Sequence, residues 1–178
     1  MKKWNCVLVL ILTTTATAQG PLQVPLPEAA HLITRAQNSL LIYAPTMRNP
    51  EVTAAYRQAM TRDVTTVIIT TPEAVTQGTR NERVMQVAFA GYDTNVTRLY
   101  APKVTNAASS VPFVVVDEAF ALVGRNLTQI PLPGDSVQVN LVRDPKVVGA
   151  LVKWVKANAR ANPQVDLLKW FSSRLKRS

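Results

Sequence analysis

Ser109-Ser110-Val111-Pro112-Phe113-Val114-Val115-Val116-Asp117-Glu118-Ala119-Phe120-Ala121-Leu122-Val123-Gly124-Arg125-Asn126-Leu127-Thr128 holds two short apolar runs on either side of a charged turn. Val111 to Val116, four of its six residues valine, is expected to be a strand. Phe120 to Val123 is its partner, Asp117-Glu118-Ala119 the tight connection, and Gly124 to Thr128 a polar loop. Around this hairpin the chain alternates. Glu28 to Asn38 carries Ala29, Leu32, Ile33 and Ala36 at helical spacing, and Ser39 to Ala44 is an apolar strand. Asn49 and Pro50 supply an N-cap and first-turn proline for a helix from Glu51 to Thr61, followed by the β-branched strand Val64 to Thr70. A helix over Asn81 to Gly91, strands over Asn95 to Tyr100 and Ser136 to Val142, a helix opened by Asp144-Pro145 and running to Ala159, and a helix over Asp166 to Lys176 complete the reading. Strands interleaved with helices imply an α/β fold whose central sheet is mostly parallel, or mixed where the hairpin lies, with helices flanking it.

With 178 residues, 47% apolar and 17% charged, the chain is long enough to bury one core and too apolar to be disordered. Its one cysteine, Cys6, excludes an internal disulfide. Lys2 and Lys3, the apolar run Trp4 to Leu12 and the small-x-small triplet Ala16-Thr17-Ala18 have the form of a cleavable signal peptide over residues 1–18. Export to a periplasm or the exterior is therefore expected, with no transmembrane segment left after cleavage, because no apolar run approaches the ~20 residues a span requires. Residues 19–27, rich in proline, read as a linker. Residues 28–160 read as the domain and 161–178 as a basic C-terminal helix and tail.

Charge is unevenly placed. The formal net charge of +9 becomes +7 once Lys2 and Lys3 are removed, and nine basic residues balance nine acidic ones between Gln19 and Val142. From Arg143 onward nine basic residues face only Asp144 and Asp166. On the helix after Pro145, Lys146, Lys153, Lys156 and Arg160 fall within about 80° of one another, opposite Val148, Leu151, Val152 and Val155. No acidic residue lies along that row, and Arg174, Lys176 and Arg177 extend the basic end. Such a surface suits nucleic acid, an anionic membrane surface or another polyanion.

Chemistry-bearing constellations are sparse. His31 is the single histidine and, with no cysteine or second histidine beside it, is expected to be a partly buried packing residue. Six glycines do not form a phosphate-cradling loop of either common type, and neither a metal site nor a cofactor is implied.

The order strand, Asp-bearing turn, strand, Gly-x-Asn-x-Thr loop resembles the phospholipase D-like phosphodiesterases, in which His-x-Lys-x-x-x-x-Asp precedes a Gly-Ser-x-Asn-x-Thr type loop. The resemblance runs from about Glu28 to Ala159 and is nearest to the small, exported, single-motif nuclease branch, which implies a homodimer. In that family a histidine attacks phosphorus while lysine and asparagine bind phosphoryl oxygens. Aligned on Asp117, the histidine falls at Ser110 and the lysine at Pro112, the loop is one residue short, and Asp135 stands where the family often has a glutamate. A serine without a neighbouring base is no replacement nucleophile, and proline has no charge for a phosphoryl oxygen. What the resemblance leaves is a relict anion pocket of Ser110, Arg125, Asn126 and Thr128, with Asp117 capping a turn and Phe113 and Phe120 as part of a dimer interface. Three readings stay open: an inactive exported domain that binds nucleic acid or another polyanion, an active phosphodiesterase with a rearranged site, and a structural envelope-associated module.

Overall fold

A computed structural model describes residues 22–76, 83–91, 96–102 and 111–175. The elements, in chain order, are β1 (Leu22–Pro25), α1 (Leu26–Thr34), β2 (Ser39–Tyr43), α2 (Pro50–Met60), β3 (Thr65–Ile69), α3 (Pro72–Thr76), α4 (Val84–Ala90) and β4 (Thr97–Tyr100). They continue as β5 (Phe113–Val116), β6 (Phe120–Val123), a 3-10 turn over Arg125–Leu127, β7 (Gln138–Val142), α5 (Pro145–Ala161) and α6 (Leu167–Leu175). The seven strands form one sheet in the order β1-β7-β6-β5-β2-β3-β4.

The sheet is mixed, the second of the two forms expected, and its antiparallel part extends beyond the hairpin. Only β2 with β3 and β3 with β4 pair in parallel; the other four pairings are antiparallel. A parallel neighbour requires a crossover, usually a helix, and no α-helix intervenes between Phe113 and Val142, so that half of the chain returns by hairpin and loop. Residues 22–25, read as linker, are instead an edge strand on β7, and Leu26 N–H donates to Val137 O at 2.9 Å. Proline is tolerated there because an edge strand leaves one side unpaired. At the opposite edge Gln164 bridges to Tyr100 and Val165 N–H donates to Leu99 O at 2.8 Å, so β4 is partly covered by the chain leaving α5.

Strand side chains alternate between two cores. On one face Leu40, Ile42, Ile68, Leu99, Val114 and Leu122 pack with Ile33 of α1, Tyr56 and Met60 of α2, Val87 of α4 and Leu167 of α6. On the other, Leu41, Tyr43, Ile69, Phe113, Val115, Ala121 and Val123 meet the expected apolar stripe of α5, Val148, Leu151, Val152 and Val155. Trp154 stands edge-on to Tyr43, with ring centroids 5.2 Å apart, and to Phe113 at 5.8 Å. Phe113 is 1% exposed inside the subunit, which removes it from the expected dimer interface.

The caps read from the sequence are present. Asn49 Oδ1 accepts from the Glu51 and Val52 amides, with Pro50 in the first turn, and Asp144 Oδ1 accepts from Lys146 N–H at 2.8 Å. Helix α1 stops at Thr34 instead of continuing to Asn38. The amides of Gln37, Asn38 and Ser39, which a longer helix would turn back on its own carbonyls, donate to the Asp117 carboxylate. Arg62 donates to Thr34 O and, at 3.1 Å, to Ala36 O, satisfying carbonyls at the helix end.

Candidate functional site

Strand register brings chemistry to one pole of the sheet. Val123, Phe113, Tyr43, Ile69 and Tyr100 stand side by side across β6, β5, β2, β3 and β4. Pro112, Gly124, Ala44, Thr70 and Ala101 therefore lie just beyond them, with Gly124 N–H donating to Pro112 O at 2.9 Å. The Arg125 to Gln129 loop is stapled to the start of α2: Arg48 N–H donates to Thr128 O at 2.8 Å, and Asn49 Nδ2 donates to Asn126 O at 2.8 Å and Gln129 O at 3.3 Å. Burial among these aromatics pushes the Tyr43 hydroxyl up to about 12, so it stays protonated at neutral pH.

The expected anion-binding residues part company here. Arg125 is exposed, and its guanidinium has no carboxylate partner among the described residues. Asn126 spends both side-chain N–H groups on the chain, donating to Ser136 O at 2.7 Å and Gln138 O at 2.9 Å. Thr128 is buried and donates to Arg125 O at 3.2 Å. Both side chains thus spend these donors on backbone carbonyls of the chain itself. Pro112 is buried, and Ser110 lies outside the described residues. His31 is exposed on the outer side of α1, not partly buried as expected.

Asp117 belongs to the other pole, at the far end of β5. Its Oδ1 accepts from Asn38 N–H at 2.7 Å and Ser39 N–H at 2.9 Å, and its Oδ2 from Gln37 N–H at 3.0 Å. Partial burial alone would raise its pKa, but the three amide donors together hold the carboxyl below the usual carboxylate range. Asp117 and Glu118 both have positive φ, and Ala119 N–H closes the turn on Val116 O at 2.9 Å. Three residues separate the paired Val116 and Phe120, and the two successive positive φ values are those of a type I′ turn, which ordinarily selects Asn-Gly. Asp135, too, serves a turn: its carboxylate accepts from Leu132 N–H at 2.9 Å.

The row on α5 is as expected in geometry: Lys146, Lys153, Lys156 and Arg160 are all exposed over a helix of 17 residues. One correction applies. The row is not free of acidic partners, because Lys156 Nζ donates to Glu118 Oε1 at 2.7 Å, an acid delivered from the hairpin rather than from the helix. Arg98 joins the same face, since on β4 it alternates with Leu99 and shares a side with Tyr100. Arg143 also lies at this end, 5.8 Å over the Phe120 ring. The Arg174 side chain, Lys176 and Arg177 lie outside the described residues.

Sequence reading missed Arg48 and Arg83, which line one cleft with Thr46, Gln129, Ile130 and Leu132. The available signal was that Arg48 adjoins the Asn49-Pro50 cap at the end of β2, but only the fold brings residues 48, 83 and 129 together. Among the described residues no helix is long and apolar enough to cross a membrane.

No family model and no curated protein sequence matches the chain. Solved structures do. Nuc from Salmonella typhimurium, a phospholipase D family member, superposes with a TM-score of 0.58 at 15% identity, over 78% of this chain and 88% of its own. NucT from Helicobacter pylori gives 0.53 at 12% identity, over 82% and 99%. The archaeal chromatin protein TrmBL2 gives 0.54 at 14% identity, over 89% of this chain and 59% of its own. The likeness at such low identity is one of backbone architecture, and it agrees with the motif order around Asp117: the chain has the phospholipase D-like fold.

Proposed function

We propose that this chain is an exported, catalytically inactive phospholipase D-like domain that binds nucleic acid through the α5 face. The observation that carries the reading is the exposed row Lys146, Lys153, Lys156 and Arg160, with Arg98 on the same side of the sheet, on a face whose described acids are few and whose one ion pair is at the surface. Surface ion pairs are worth about 0–1 kcal/mol, so Lys156 can exchange Glu118 for a phosphate at little cost. The TrmBL2 structure shows a mode of DNA binding on a chain that superposes over 89% of this one, which supports a nucleic acid over other polyanions. Inactivity follows from Pro112 and Ser110 at the positions where the family has its lysine and nucleophile.

Titration of duplex DNA at increasing salt tests the reading. Four phosphate contacts give a log-log slope of about −3.6, at roughly 0.9 per contact. A slope near zero overturns it. Glu118→Gln removes the carboxylate that competes for Lys156 and one negative charge from the face, so affinity at low salt should rise about threefold while the slope stays near that of four contacts. With no nucleophile at residue 110, turnover of a generic phosphodiester by the purified protein should not exceed buffer, and turnover abolished by Ser110→Ala establishes the rearranged-site alternative instead.

A homodimer belongs to the same reading. Because Phe113 is buried within the subunit, the shared surface must use side chains that remain outside, such as the partly exposed Phe120. Light scattering at tens of micromolar should return twice the subunit mass; a single-subunit mass removes this part of the proposal.

A further inference from the structure

The cleft between Arg48 and Arg83 shares no residue with the α5 row. Its volume is about 560 Å³, within the range of roughly 300–1,000 Å³ typical of small-molecule sites. Among the described residues, neither guanidinium forms an ion pair and no acidic side chain lines the cleft. Two like charges brought to one concavity without a counter-charge repel each other, and an anion between them relieves the repulsion.

The rest of the described lining is Thr46, Gln129, Ile130 and Leu132, of which the last two are apolar. Ile130 is 62% exposed and Leu132 69% exposed. Both sit in a loop whose shape is closely determined. Pro131 and Pro133 limit the backbone, and Leu132-Pro133-Gly134-Asp135 closes a turn through Asp135 N–H to Leu132 O at 3.0 Å, with Gly134 at φ 91° as the third residue of such a turn requires. Asp135 Oδ2 accepts from Leu132 N–H, and Asn126 ties the loop's far end to its start through Ser136 O and Gln138 O. Two large apolar side chains thus stand in solvent beside two unpaired cations on a backbone that cannot easily fold them inward.

We propose that this cleft binds a phosphate monoester carrying an apolar substituent. Arg48 and Arg83 take the phosphoryl oxygens, and Ile130 and Leu132 take the substituent. A monoester carries about −1.5 to −2 charge near neutral pH, which matches two guanidinium groups better than a carboxylate does. The same chemistry is offered by a soluble alkyl phosphate and by a phosphatidic acid headgroup.

Calorimetric titration of the full protein with hexyl phosphate and with inorganic phosphate tests the proposal. Contact with about two methylenes is worth roughly 15-fold, so hexyl phosphate should bind about 15-fold tighter. Arg48→Gln and Arg83→Gln should each weaken hexyl phosphate about tenfold or more, the loss of a charge-assisted pair. Ile130→Ser with Leu132→Ser, both at exposed positions, should erase the difference between the two ligands while leaving inorganic phosphate unchanged. Equal affinity of the parent for both ligands, or arginine variants that bind hexyl phosphate as the parent does, overturns the proposal. Flotation with phosphatidylcholine vesicles, with and without phosphatidic acid, separates the sources. Capture that needs phosphatidic acid and is lost in the serine variant assigns a lipid headgroup; titration without capture assigns a soluble ester, and either supports the site. Duplex DNA binding by Arg48→Gln is read alongside: failure of the α5 reading appears there, and failure of this one in the hexyl phosphate titration.

Discussion

Replacing Lys146, Lys153, Lys156 and Arg160 together with glutamine is expected to lower affinity for duplex DNA about 100-fold at low salt and to flatten its salt dependence. The four positions span 15 residues of α5, or 14 rises of about 1.5 Å, roughly 21 Å, a length comparable to six base-pair steps. Each neutralised phosphate contributes about 0.9 to the log-log slope, so four contacts amount to roughly two orders of magnitude between 50 and 200 mM salt. The fold should survive, because all four side chains are exposed and the buried stripe Val148, Leu151, Val152 and Val155 is untouched. Circular dichroism of the variant checks that point, and anionic vesicles run beside DNA tell a general polyanion surface from one fitted to nucleic acid. A variant that binds DNA as tightly as the parent across the salt series reduces the row to a solvated helix face.

Asp117→Ala is expected to cost about 2–3 kcal/mol of stability, equivalent to a fall in Tm of about 6–9 °C for a chain of this size. Three backbone amides, Gln37, Asn38 and Ser39, lose a charged acceptor at the junction of α1 and β2. Alanine also tolerates the positive φ at this position less well than aspartate does. Asp117→Asn keeps an acceptor oxygen and a residue suited to that φ, so about 1 kcal/mol is expected. The sign of the pH dependence follows from the lowered pKa of Asp117 in the fold. Its contribution is present above the unfolded-state value near 3.9 and is lost as pH falls through the lower folded value. Urea titrations between pH 6 and pH 2.5 should therefore show a shallower acid loss in Asp117→Asn than in the parent. Identical pH profiles exclude Asp117 as the group responsible.

Much of the local structure was legible. Short apolar runs, β-branched almost throughout in β3 and rich in valine in β5, let β2, β3, β5 and β6 be read directly, and the Asn49-Pro50 and Asp144-Pro145 pairs announced α2 and α5 because an N-cap acts within its own turn. The two stripes of α5 follow from helical periodicity alone. The motif order around Asp117 was enough to point to the fold that the superpositions share.

What lay beyond the sequence depends on contacts between residues far apart in the chain. The partners of Asp117 are 78 to 80 positions away, and those amides shorten α1; Glu118 reaches Lys156 across 38 positions. Asn126 and Thr128 read as phosphate ligands because their chemistry permits it, yet a polar side chain can donate each N–H or O–H only once, and the folded loop takes those donors for its own carbonyls. Proline content suggested a linker where an edge strand forms, since only the finished sheet reveals which strand has a free side. Arg48 and Arg83 are unremarkable as letters. The sequence alone determined which segments are strands and helices and where the positive charge accumulates, because those properties are local or additive. The sheet order, the cleft and the identity of the unpaired cations were decided by tertiary structure, because pairing is a property of distance in space.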